Sequence, residues 1–575
     1  MARTCLFRTT VLVPLLLLTA VAAAQQGYYF GPDTAADAGP RRDGAKGGNR
    51  TPASALGYIP ASETEPAFWE TWWALNREEF LPAGGLRGDR GPYPLPGTLL
   101  TGDDVKRRIL PALRKAAQVR DAETRAAAAV AIGKCGEPLD VAVLRAMLDD
   151  RDRGVVEAAV LGLGLLRTPE AEVHLAAFLA EESRPARARG LAAAVIGLGG
   201  GESARRALFD RISGEGAAKA ASGRETAGLE AARALGAGIW AGADRAGGDG
   251  SKSALAAGIL QRAFSNPPTR DKLFLSIGTA ALAKSRDQGS LSHVLAGLSE
   301  KRSDHRAAAA IAAGRIVKAA DAASLKRLIE AEARESDRYA RRMMIIALGR
   351  IGGPEAIAAL HALPKTIDRQ DRAFQFLALG IAKATEAQAE LREAFTKGGD
   401  QSLRGAAAIA LGLLGDREFM PALMKHVATQ KDPGLLAHVV WAFAVADERS
   451  AAETVEKVHK DSKEENVRSA SALVLGVLGY TPAEPALLAQ LRDGGSKVAR
   501  GAAATALGRL GDVRMIDALV KVVESERETD LTRAAAVIAL GVLGRRDVFP
   551  EQARFTIDAL HAVRHEALDA LRDYL

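Results

Sequence analysis

Three groups of residues in this 575-residue chain have types and spacings that could do chemistry. His561, His565 and Asp569 recur every four residues, so a helix would bring two imidazoles and a carboxylate to one face, a weak candidate for a metal site. The same spacing makes an ordinary solvated polar face, and no cofactor or metal is assigned. GLGGGE, Gly197 to Glu202, has part of the pattern that cradles a dinucleotide pyrophosphate, but it lacks the third small residue and the preceding strand. GGDGSKS, Gly247 to Ser253, follows a phosphate loop only until Ser251 stands where glycine is required before Lys252. The nine histidines are scattered, and neither an HExxH nor a paired CxxC motif occurs. Cys135 has no evident base beside it in the sequence. Catalysis is therefore not expected.

Two aromatic groups point to binding instead. In FWETWWALNREEFL, Phe68 to Leu81, Trp69 and Trp73 stand four apart, as do Phe68 and Trp72, so one helix could carry an aromatic stripe. Trp69, Trp72 and Trp73 could form a stacking platform for a glycan or a peptide; the alternative is an amphipathic helix that seals the open end of the body behind it. In LLAHVVWAFAVAD, Leu435 to Asp447, His438, Trp441 and Phe443 replace the small residues of neighbouring segments, and DRAFQFLALG adds Phe374 and Phe376. These five are candidate anchors for a partner protein, with filling of a bend in the core as the other possibility.

What must position them is a repeat. RGAAAIALGLLGD (Arg404 to Asp416) returns as RGAAATALGRLGD (Arg500 to Asp512) and RAAAVIALGVLGRRD (Arg533 to Asp547). An Arg followed eight residues later by Gly marks ten units, Arg125/Gly133 and Arg341/Gly349 among them; Gly162 and Gly236 end two more, and Leu435 to Asp447 makes a thirteenth with Phe443 in the glycine's place. The glycines mostly lie 31 to 36 residues apart, which is room for two helices and two turns. Asp121, Asp337, Asp368, Asp400, Asn266 and Ser496 fall four residues before the Arg, where a short polar side chain caps a helix. A second glycine three residues after the first, such as Gly136, Gly415, Gly511 or Gly544, suits a left-handed helix stop. Thr168-Pro169, Gly353-Pro354 and Thr481-Pro482 read as starts of the other helix of each pair. A helix apolar on nearly every side must stack on its neighbours, so the fold class is all-α, a solenoid of stacked helix pairs. Cys135 takes the place of Leu414 and Leu510 in other units and belongs to the core.

The units RAAAAVAIGKCGEP, RRMMIIALGRIGGPEA, RGAAAIALGLLGDREF and RGAAATALGRLGDVRM resemble HEAT repeats of the short, alanine-rich subtype first associated with phycobilin lyases. The resemblance spans about residues 105–550. It implies an α-solenoid with the first helix of each repeat outside and the Arg-bearing second helix on the concave side, and Asp–Arg ladders between repeats. It also brings one enzymatic alternative, a bilin lyase-like protein that positions a tetrapyrrole.

The chain divides into five segments. Residues 1–24 read as a signal peptide, with Arg3 and Arg8 ahead of the apolar run Val11 to Ala24 and Ala22-Ala23-Ala24 before Gln25. Residues 25–62 have the composition of a flexible tether, 63–104 of an aromatic capping helix and loop, 105–550 of the solenoid, and 551–575 of a C-terminal capping helix. Runs rich in Gly and Ser between about 213 and 253 lengthen the spacing there and predict insertions or a break in the array. The apolar leader is too short for a membrane span, so no transmembrane anchor is expected after cleavage. A net charge of +7 without blocks of like charge gives no sign of nucleic-acid binding. The expectation is a non-enzymatic scaffold of the periplasm or cell exterior that binds a protein partner, with no small-molecule ligand.

Overall fold

In the computed structural model of the chain, the polar residues ahead of the repeat Arg do cap helices. Asp121 accepts hydrogen bonds from the amides of Glu123 and Thr124, Asp337 from Ala340, Asp400 from Leu403, and Ser496 from Ala499. The structure describes residues 68–82, 100–212, 224–243, 251–265, 273–364, 368–429 and 432–545. The leader, the tether, the 551–575 segment, Asn266 and the candidate set His561, His565 and Asp569 lie outside these residues.

A short helix, α1 (Trp69–Asn76), precedes the array. Thirteen Ala-rich helices, counted among the described residues, then form one row: α2 (Ala122–Cys135), α3 (Arg153–Leu166), α4 (Ala186–Val195), α5 (Arg224–Ala243), α6 (Leu273–Ser285), α7 (Ser303–Ile316), α8 (Arg338–Ile351), α9 (Arg369–Ile381), α10 (Gln401–Leu414), α11 (Pro433–Val445), α12 (Glu465–Leu478), α13 (Lys497–Leu510) and α14 (Asp530–Leu543). Each packs on the next. Burial on two opposite sides explains their composition: α10 is buried from Gly405 through Leu413 without a break. The intervening helices cover the row from outside and are amphipathic; Met515–Glu524 buries Ile516, Leu519, Val522 and Val523 and turns its other face to solvent. The row continues through the stretch where the sequence allows a break, because α5 contacts both α4 and α6.

The recurring Arg reaches back within its own repeat. Arg189 donates to the carbonyl of Leu179 at 3.0 Å, Arg404 to Phe395 at 2.7 Å, and Arg500 to Leu491 at 2.9 Å, each at the end of the preceding outer helix. A guanidinium there satisfies carbonyls that the helix end leaves open and meets the negative end of its dipole. Ladders between repeats, implied by the family resemblance, form only in part: Arg341 and Arg342 bind Asp371, and Arg369 binds Asp400. The second glycines divide as well. Gly415, Gly479 and Gly511 take left-handed φ of 77°, 70° and 69°, but Gly136 and Gly544 do not, at −65° and −75°. At Gly544 the need is space: a Cβ would stand 3.1 Å from the Cβ of Cys135.

That last contact joins the final repeat to the first, and it corrects the expectation of an open end. α14 packs along α2, closing the row into a ring. The closure repeats the interior register. A Cβ on Gly349 would meet the Cα of Ala378 at 2.7 Å, one on Gly476 that of Ala506 at 2.7 Å, and one on Gly541 that of Ala131 at 2.7 Å. In each pair the alanine stands two residues before its own helix's glycine (Gly380, Gly508, Gly133). The last inner helix therefore docks on the first as though it were the next repeat. Ion pairs hold the outer edge of the seam, with Arg108 to Asp517 at 2.9 Å and Lys115 to Glu524 at 3.1 Å.

Candidate functional site

The inner helices of the ring surround a channel, and residues 68–82 of the same chain lie in it. The sequence made α1 the seal of an open end; with no open end, the wall of the channel covers it instead. Trp69, Trp72 and Trp73 are 0%, 0% and 1% exposed, so they are unavailable as a glycan-stacking platform. A sugar stacks on an indole face left open to solvent, and these faces are covered by protein.

The contacts of α1 come mostly from α7 to α11. The Trp69 amide donates to Gln370 Oε1 at 2.9 Å, and its indole Nε1 to Ser402 Oγ at 2.8 Å. Ser402 in turn donates to Glu70. The Trp69 ring lies 4.8 Å from the His438 ring, and Trp72 meets Phe374 edge-on at 6.1 Å. Phe80 folds back on Trp72 and Trp73, the latter pair stacked at 6.0 Å. Arg77 sits 4.0 Å above the Trp441 ring, a cation–π contact removed from solvent. A cavity of about 320 Å³ opens beside Glu70, Ser402 and His438, between the N-termini of α10 and α11.

Two carboxylates complete the docking. Glu79 pairs with Arg315 of α7 at 3.0 Å and Arg350 of α8 at 2.8 Å, while Glu78 pairs with Arg509 of α13 at 2.6 Å. α7 and α13 are six helices apart in a ring of thirteen, so adjacent residues tie together opposite walls. Burial opposes the charge of Glu79, but Arg315, Arg350 and Lys284 outweigh it and hold the carboxyl at about 2. His438 is pushed the other way: burial, reinforced by the neighbouring Arg77, lowers its imidazole to about 4, so it is neutral at pH 7.

The sequence candidates separate accordingly. Phe374, His438 and Trp441 line the channel and touch the docked segment. Phe376, 3% exposed, lies under Arg372, which pairs with Glu390 of an outer helix; Phe443 is fully buried in the core. None of the five is an exposed anchor. Sequence reasoning missed the cations that receive Glu78 and Glu79, yet a signal was present. Arg315, Arg350 and Arg509 each follow the repeat glycine directly, as does Lys134, whereas other units place Leu, Ile, Val, Ala or Thr there. The GLGGGE loop also finds its physical account: Gly201 N donates at 3.1 Å to the buried Glu172 carboxylate, which fills the space a Cβ on Gly199 or Gly201 would need.

The model of HEAT repeats matches residues 110–197, 325–412, 389–476 and 452–541, together more than half of the chain. The chain belongs to the HEAT-repeat family. Among solved structures, the CpcE–CpcF complex of phycocyanin lyase from Nostoc sp. is similar at 20% identity and a TM-score of 0.29, covering 40% of this chain and 94% of that one. Yeast importin-beta is similar at 12% identity and a TM-score of 0.37, covering 77% of this HEAT-repeat chain and 75% of that chain. Kap121p bound to Nup53p gives 11% and 0.33, and there this chain spans about half of its counterpart, 54%. At such distances these likenesses carry nothing about what this HEAT-repeat chain binds. No curated protein matches its sequence. No helix among the described residues is long and apolar enough to cross a membrane.

Proposed function

We propose that this HEAT-repeat protein is a non-enzymatic, protein-binding scaffold of the periplasm or cell exterior, and that its binding surface is the wall of the ring's channel. One observation carries the reading: the wall already holds a stretch of polypeptide through the features that protein interfaces use as anchors. Buried tryptophans fill the centre, an Arg lies over an aromatic ring, and partly buried Arg–Glu pairs fix the end. The location rests on the n-region, apolar run and Ala-x-Ala ending of residues 1–24. Affinity capture by the full chain from envelope fractions, with cross-links mapped by mass spectrometry, is expected to find a polypeptide joined to the ring. Absence of any specific polypeptide from envelope and cytoplasmic fractions alike would overturn the scaffold reading.

A further inference from the structure

The docked segment shows what chemistry the wall accepts. From Trp69 onward it presents indoles at the first, fourth and fifth positions, an Arg at the ninth and two adjacent carboxylates at the tenth and eleventh. These groups find their complements on the ring. Gln370, Ser402, His438 and Phe374 receive the first half; Trp441 lies beneath Arg77; Arg315, Arg350 and Arg509 receive the two acids. Three cations meet two carboxylates there, with Lys284 close behind, so the end of the channel that takes the acids is electropositive.

The fit is incomplete. Indole Nε1 of Trp72, Trp73 and Trp441, Nδ1 of His438 and Oδ1 of Asn76 are buried and have no hydrogen-bond partner among the described residues. A buried polar group without a partner is costly, so an occupant that offered partners to Trp441 Nε1 and His438 Nδ1 of the wall, and left none of its own polar groups unpaired as Trp72, Trp73 and Asn76 are here, would bind the same wall more tightly. The segment is an eight-residue helix extended by one 3-10 turn, too short to hold its own conformation in water. Its docking therefore depends on the wall alone. In the sequence, AGGLRGDRGPYPLPGTL at positions 83–99 separates the segment from the array, and its Gly and Pro content is that of a linker.

We propose that residues 69–79 are a resident competitor, and that the channel's partner is a protein segment of the same chemistry: a short helix with clustered aromatic residues and, one to two turns later, paired carboxylates. This rests on the scaffold reading and goes beyond it by naming the partner's chemistry. The partner displaces α1, takes over the contacts to Arg315, Arg350 and Arg509, and frees α1 in the same event. Occupancy by α1 lowers the wall's apparent affinity by the fraction of time the wall is covered.

The test uses the full chain and a fluorescent synthetic peptide with the sequence of residues 67–82. Trp69→Ala combined with Trp72→Ala weakens the resident segment and leaves the wall intact. The peptide is expected to bind this variant at least about tenfold more tightly than the native chain, and a peptide carrying Glu78→Gln and Glu79→Gln to lose at least about tenfold in affinity. A scrambled peptide of the same composition should not bind. Absence of binding to a variant that melts as a folded ring, or equal binding of the scrambled peptide, overturns the proposal. If the variant does not fold, the native chain decides: saturating peptide should speed hydrogen exchange of the amides of residues 72–80 and leave α10 unchanged, and unaltered exchange overturns it. A partner captured from the envelope by another surface, with no peptide binding, would sink this inference together with the assignment of the binding surface to the channel wall, and would leave standing only the reading of the protein as a scaffold; a partner cross-linked to the wall, with no peptide binding, would sink this inference alone.

Discussion

Gly541→Ala tests the closure of the ring by the sign of its effect. An alanine is worth about 1 kcal/mol more than glycine in a helix interior, so at the exposed end of an open array the substitution would stabilise. In the ring, the new Cβ would lie 2.6 Å from the Cβ of Ala131 and 2.7 Å from its Cα. Ordinary carbon contact is about 3.5–4.0 Å, so α14 and α2 must part by roughly 1 Å. Overpacking of this kind costs about 1–3 kcal/mol, which cancels or exceeds the propensity gain. Gly476→Ala is the control, because its Cβ would meet Ala506 Cα at the same 2.7 Å inside the array. Thermal and denaturant midpoints of both variants should fall together or stay level, and small-angle scattering should show a larger radius for Gly541→Ala as the seam opens. A rise in the midpoint of Gly541→Ala beside a fall for Gly476→Ala would refute the closed ring.

Other outcomes rest on the same contacts. Between about pH 6.5 and 4 the unfolded or undocked state binds the proton that buried His438 refuses, so docking stability is complete above 6.5 and declines as pH falls toward 4, by up to about 3 kcal/mol. Trp emission recorded through that window should shift toward exposed indole, and His438→Gln should flatten the change. Leu411 is fully buried in α10, and Leu411→Asp, an unpaired charge among apolar neighbours, should cost several kcal/mol in the helical melt. N-terminal sequencing of the native protein is expected to begin near Gln25, and a soluble cytoplasmic form beginning at Met1 or Ala2 would reject export.

The fold was legible because one packing task is written many times. Asp121, Asp337, Asp400 and Ser496 announce helix starts by local hydrogen bonding alone, and the glycine register gives the inner helix contact directly. Closure was not legible. Nothing in α14 distinguishes docking on a next repeat from docking on the first, since Gly541 presents the same surface as Gly476 and the curvature that brings Ala131 to it accumulates in small steps over the whole row. The site was hidden for a related reason. Spacing identifies the stripe of Trp69, Trp72 and Trp73, and composition marks Phe374, His438 and Trp441 as unusual, but residues about 300 positions apart are brought together only by the ring, as in the bond from Trp69 to Gln370. The aromatics of the two groups are each other's partners, and neither group reveals this by itself.

Occupancy of the channel by the chain's own tryptophan segment is read directly by tryptophan fluorescence. The chain has five tryptophans, three of them at positions 69, 72 and 73, and all five are at most 3% exposed. Native protein is expected to emit as buried indole throughout, with almost none of the emission reached by acrylamide, and exposed emission should arise only on acidification. Native protein in which roughly three-fifths of the emission is quenched as freely as tryptophan in water would contradict this, because α1 would then lie outside the ring.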